Sequence, residues 1–250
     1  MLELLESDAL ALALVTAIRS GDVEGLERLL HDNPGASCAR IERPRSSGGA
    51  FSYPLIAAAT DWPGHYPRVG VTIALLVIAG ADVNARCVGR HQETALHWAA
   101  SSDDVEALEA LLDAGADLEA SGAVIAGGTP LDDAVAFSQW RAARRLVERG
   151  ARMALWHAAA LGRLDRVSQH FADGEPAAPH PWGSATPREA VQVAFWAACH
   201  GGQRATAEYL LERGADPQWS SPWDGSTPVE AARRGKADEL ARWVEQVATR

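Results

Sequence analysis

Apolar positions fall in short helical registers, separated by polar or glycine-rich breaks. Over residues 8–20, Leu10, Leu14 and Ile18 share one face, and Ser7 or Asp8 is placed to cap the start. Ser20-Gly21-Asp22 breaks that run, and 23–31 begins a second helix with Leu26, Leu29 and Leu30 inward. Two short helices joined by a tight turn make a helical hairpin. The pattern then repeats. It predicts a loop from Asn33 through the polar 40–49, and a helix over 55–60 opened by Tyr53-Pro54. After a long aromatic connection, 61–67, comes a helix over 71–79. Further helix pairs follow at 94–100 and 105–114, around 129–140 and 142–149, at 154–161 and 164–172, at 189–200 and 204–213, and at 227–233 and 237–247. A long Pro-rich loop is expected over 173–187, and the last helix turns Arg242, Glu245, Gln246 and Arg250 outward as an end cap.

One phrase punctuates these pairs. It reads Gly80-Ala81-Asp82, Gly115-Ala116-Asp117, Gly150-Ala151-Arg152 and Gly214-Ala215-Asp216. The first three start 35 residues apart; the fourth comes after nearly two such intervals, with a weaker mark at Asp173-Gly174-Glu175. A glycine just past an apolar run supplies the left-handed residue that ends a helix. A fixed interval of this size marks a stacked array, which grows by neighbour contacts without a central core.

Thr94-Ala95-Leu96-His97-Trp98-Ala99-Ala100, Thr129-Pro130-Leu131, Thr227-Pro228-Val229 and the Gly-Ala-Asp phrases, completed once by Val83-Asn84, resemble the ankyrin repeat. The resemblance implies an all-α ankyrin-repeat α-solenoid of about seven helix pairs with short β-hairpin or irregular fingers. It forms a single domain over 1–250, with repeats near 7–51, 52–93, 94–128, 129–151, 152–187, 188–226 and 227–250. The match departs at the inserted loop of the second repeat, at the missing finger before the fifth, and at Ala194-Phe195 in the sixth, where Leu-His is usual. The Asp-Trp-Pro-Gly-His and His-Trp-Ala-Ala segments also make the chain similar to bacterial ankyrin-repeat proteins.

Composition narrows the partners. Net charge is −10, with 33 acidic and 23 basic residues, which argues against nucleic acid and anionic membranes. Three scattered cysteines and an acidic N-terminal segment fit a reduced, cytoplasmic protein, and the longest apolar stretch, 69–81, is too short to span a bilayer. No His-Glu-x-x-His or Cys-x-x-Cys supports a metal site, and no cofactor is implied.

Aligning the repeats by their Ala-Ala pairs places Ala57, Trp98, Asp133, His157, Trp196 and Ala231 in one row. In ankyrin arrays this position lies on or near the concave face. A second row, four residues on, reads Asp61, Ser102, Phe137, Leu161 and His200. The bland reading is that such indoles and imidazoles pack helices together. Nine Trp, several in loops, favour a contact surface instead. The candidate binding residues are Asp61, Trp62, His65, Tyr66, Trp98, Ser102, Trp140, Trp156, Trp196 and His200. His97 is read as structural, whereas His65, His157 and His200 have no such assignment.

Two functions follow. One is a binding module recognising a protein partner through its concave face and inserted loops, as the resemblance implies. The alternative is a protein that binds a small apolar ligand, or an acid–base enzyme (isomerisation, cyclisation or elimination), in which Asp133 and His157 form a catalytic pair between indoles.

Overall fold

A computed structural model describes residues 2–44, 50–172 and 186–249. Its contacts divide it into an N-terminal unit, Met1–Ala151, and a C-terminal unit, Arg152–Arg250. The chain is mostly helical, at 55%, so repeated helix pairs rather than a sheet make the core.

The N-terminal unit carries α1 (Ala9–Ser20), α2 (Val23–Asp32), α3 (Val69–Ile78), α4 (Ala95–Ser101), α5 (Val105–Asp113), α6 (Pro130–Ala136) and α7 (Trp140–Glu148). Two expectations fail near its start. Residues 40–44 are not a loop: Arg40–Pro44 (β2) pairs in parallel with Glu3–Leu5 (β1) and antiparallel with Ala50–Pro54 (β3). Ile41 faces Tyr53 in that register, and both are fully buried, so alternation inside a polar-looking stretch is what makes the strand. Pro54 ends β3 instead of opening an α-helix, and Leu55–Ala59 is a 3₁₀ turn. Asp8 precedes α1, but its carboxylate accepts the Leu5 N–H at 2.8 Å and makes no bond to the helix itself. Residues 45–49 of the expected loop lie outside the described residues.

The C-terminal unit carries α8 (Leu155–Ala160), α9 (Leu164–Ala172), α10 (Pro187–His200), α11 (Arg204–Leu211), α12 (Pro228–Arg234) and α13 (Asp238–Ala248). The long α10 begins inside the expected Pro-rich loop, because Thr186 and Glu189 form a reciprocal cap around Pro187; the rest of that loop, 173–185, lies outside the described residues. In α13, Leu240, Ala241 and Val244 are buried while Arg242 and Gln246 are exposed, as an end cap requires; Arg250 is not described.

The recurring phrase has one physical form. Gly80, Gly115, Gly150 and Gly214 take φ of 101°, 91°, 105° and 86°. Each following alanine donates its N–H five residues back, to Leu76, Leu111, Leu146 or Leu210. That is the Schellman closure, and it needs a left-handed residue where a side chain would cost energy. Three first helices of pairs start alike. Thr129, Thr186 and Thr227 cap α6, α10 and α12, with Asp132, Glu189 and Glu230 returning the bond.

The cleft of the N-terminal unit

The inserted loop after the 3₁₀ turn is pinned at both ends. Asp61 accepts from Arg19 at 2.5 Å and from Arg43 at 3.2 Å, and Arg43 also reaches Glu6. Asp104 is 1% exposed and serves two elements at once. One oxygen caps α5 through the Ala107 N–H, and the other accepts the His65 N–H at 2.6 Å. The His65 ring meets the Ser102 carbonyl at 2.9 Å. Tyr66 lies under the Arg19 guanidinium at 5.8 Å. His65 and Tyr66 therefore anchor the loop, and what the anchored loop presents is Trp62, 83% exposed.

Trp62 stands at a cleft of about 390 Å³ lined by Thr60, Asp61, Trp62, Glu93, Trp98, Ser101, Ser102, Val124 and Phe137. The second sequence row converges here: its three members in this unit, Asp61, Ser102 and Phe137, all line the cleft. From the first row only Trp98 does. Trp98 is half-buried; it stacks on Phe51 at 6.3 Å and meets the tilted Tyr53 ring at 5.8 Å, so the sheet fixes its back while its front stays open. Phe137 and Val124 add exposed apolar rims.

Thr60, Glu93, Ser101 and Val124 are cleft residues that the sequence reading missed, and Glu93 is the charged one. It directly precedes the Thr-Ala-Leu-His phrase, and its only signal is a carboxylate placed against a helix start. Burial raises its pKa, while the Trp98 indole N–H favours the charged form.

Asp133 is fully buried and absent from the cleft wall. One oxygen accepts the Ile125 N–H at 3.2 Å, and the other has no partner. Burial pushes its pKa up to about 8, and the nearby Glu93 charge acts in the same direction. It holds the Val124–Ile125 backbone that forms one side of the cleft. Trp140 opens α7 and is half-buried, away from the cleft lining.

In the C-terminal unit, His157 is 3% exposed and its Nδ1 accepts the Ala154 N–H at 3.0 Å. His97 does the same for Thr94 at 3.1 Å. His157 thus has the structural assignment that the sequence reading gave His97 alone. Its neighbour Trp156 is buried, with the two rings 4.0 Å apart.

Trp196 falls one position out of its row. The left-handed residue that closes each hairpin follows Trp98 by five residues (Asp103) and Asp133 by five (Ser138), but follows Trp196 by six (Gly202). Ala197 takes the aligned place. Trp196 turns into the unit instead, donating to Ser226 Oγ at 3.1 Å and packing on His200 at 5.1 Å and Trp223 at 5.0 Å. His200 is itself buried. Asp133 and His157, expected as a pair, belong to different units.

Residues 55–157 match the family model for ankyrin repeats in three copies. That stretch of the chain is made of ankyrin repeats. The crystal structure of the human ASB11 ankyrin repeat domain is similar to it in fold, with a TM-score of 0.52 and 16% identity, over 92% of this chain and 96% of that one. No curated protein matches the sequence. Ankyrin repeats are in general protein-interaction modules. Among the described residues no helix is long and apolar enough to cross a membrane, and no three His, Cys, Asp or Glu gather as a metal site.

Proposed function

We propose that the chain is a binding module that takes a polypeptide segment of a partner protein into the N-terminal cleft. The observation that carries this is Trp62, an indole 83% exposed on a loop that Asp61 and Asp104 tie to neighbouring elements. Ordering a loop to display an indole to water costs entropy without burying apolar surface, and a partner would recover that surface. Phe137 and Val124, 42% and 41% exposed, extend the same rim. Burying an aromatic of this kind contributes about 2 kcal/mol to association.

A random peptide library displayed on phage tests the reading. Peptides selected on the wild-type protein should lose binding to Trp62→Ala, and to Phe137→Ala more weakly. Selected peptides that bind both variants at full strength would refute the cleft as the site.

The second reading, an acid–base enzyme, has Asp133 in its favour, a carboxylic acid held protonated near neutral pH. Its place behind the cleft wall and the cap role of His157 weigh against the pair acting together on a substrate. Turnover of a small ligand that Asp133→Asn abolished would reinstate it.

A further inference from the structure

We infer that the cleft selects its partner segment by an arginine side chain, with the guanidinium lying on the Trp62 and Trp98 indoles and paired with the Glu93 carboxylate. This rests on the reading of the cleft as a polypeptide site and names the chemistry of its occupant.

Two carboxylates, Asp61 and Glu93, line one cleft. Asp61 is already matched: Arg19 and Arg43 both reach it, and each guanidinium also lies over a ring, Arg19 on Tyr66 at 5.8 Å and Arg43 on Tyr53 at 5.2 Å. The chain thus twice uses a carboxylate plus an aromatic face to hold an arginine. Glu93 and Trp98 repeat that pairing on the open side of the same cleft. Here, among the described residues, the groups acting on Glu93 include no cation.

A guanidinium suits this carboxylate and indole better than an ammonium. It is planar, so it stacks on an indole. It is weakly hydrated, so it enters a half-buried site, and its fork matches a carboxylate. Glu93 sits where burial disfavours its charge, and an incoming cation would relieve that penalty. The chain's net charge of −10 would also draw basic segments toward it. An apolar residue of the segment would cover Phe137 and Val124.

The test pairs two blocked peptides that differ in one residue. One is the strongest arginine-containing peptide from the library selection; the other replaces that arginine by citrulline, which keeps the shape and removes the charge. Affinity is read by calorimetry, and site occupancy by the indole N–H signals of Trp62 and Trp98 in NMR spectra.

The expected result is at least tenfold weaker binding of the citrulline peptide. Glu93→Gln, a near-isosteric change, should bring the two peptides to equal affinity while its melting temperature stays within a few degrees of wild type. Equal affinity for both peptides on the wild-type protein would overturn the inference, as would a full arginine preference retained in Glu93→Gln. If selected peptides bind the cleft but carry no arginine, the inference fails while the polypeptide reading stands. If no peptide shifts either indole signal, the polypeptide reading itself fails.

Discussion

Trp98 and Trp196 stand in the same words, an indole followed by two alanines, and the structure uses them in opposite ways. Trp98 is backed by Phe51 and Tyr53 and open in front, on a cleft beside Glu93. Trp196 is 7% exposed, with its N–H satisfied by Ser226 and its faces taken by His200 and Trp223. One residue of register separates them, five against six positions before the left-handed turn, and one residue rotates a helical side chain by about 100°. A sequence phrase therefore places a side chain on a helix face only when it is counted from the turn that fixes the helix end. A half-open indole in one unit and a buried one in the other follow from that count.

Substitutions in the two units should separate these roles. The largest effect is expected at Trp196. Trp196→Ala removes a buried indole and leaves the Ser226 hydroxyl without it, costing about 3–5 kcal/mol, read as loss of the C-terminal unit's cooperative melt. Peptide binding at the cleft should survive at temperatures where the N-terminal unit stays folded.

Next comes Asp133. Its folded pKa, about 8, lies above the ordinary 3.8, so the folded state holds the proton more tightly than the unfolded chain. Its favourable contribution is fully present below the unfolded value and is lost as pH rises toward 8. His97 opposes it. Burial lowers the His97 pKa to about 4 from 6.5, so its contribution is present above 6.5 and lost as pH falls to 4. The two slopes offset one another between about pH 4 and 6.5, and Asp133 alone acts between about 6.5 and 8. Chemical denaturation across that upper window should show falling stability. Asp133→Asn keeps an acceptor for the Ile125 N–H, should flatten the fall, and should raise stability near pH 7.5 by about 3 kcal/mol.

Asp104→Ala removes the α5 cap and the His65 tether together. A loss of about 1–2 kcal/mol is expected in denaturation, with faster amide exchange at His65. Smallest in stability is Trp62→Ala, expected within about 0.5 kcal/mol of wild type because so little of the indole is buried. Its effect belongs to binding, about 30-fold weaker for cleft peptides by calorimetry.

Much of this architecture was legible in the residues. The Gly-Ala phrase and the Thr caps fix where helices stop and start through local hydrogen bonds, so they read directly from sequence. The second row was legible for the same reason, since Ser102 and Phe137 sit at helix ends counted from those turns. The β2 strand was not, because Ile41 counts as apolar only once Tyr53 comes opposite it. Glu93 was hidden because its burial, which raises its pKa, comes from how the cleft packs around it and has no spacing signature. His157 misled because Ala154 replaces the usual Thr cap, masking a helix start that the imidazole completes.

By the proposed function Trp62 and Trp98 form a contact surface, while Trp196 is core. Fluorotryptophan labelling with ¹⁹F NMR tests it directly, each signal assigned by single Trp→Phe replacement. The claim predicts solvent-isotope shifts at Trp62 and Trp98 that a cleft-selected peptide suppresses, and a Trp196 signal that neither solvent nor peptide moves. A solvent-shifted Trp196, or Trp62 and Trp98 signals indifferent to the peptide, would contradict it.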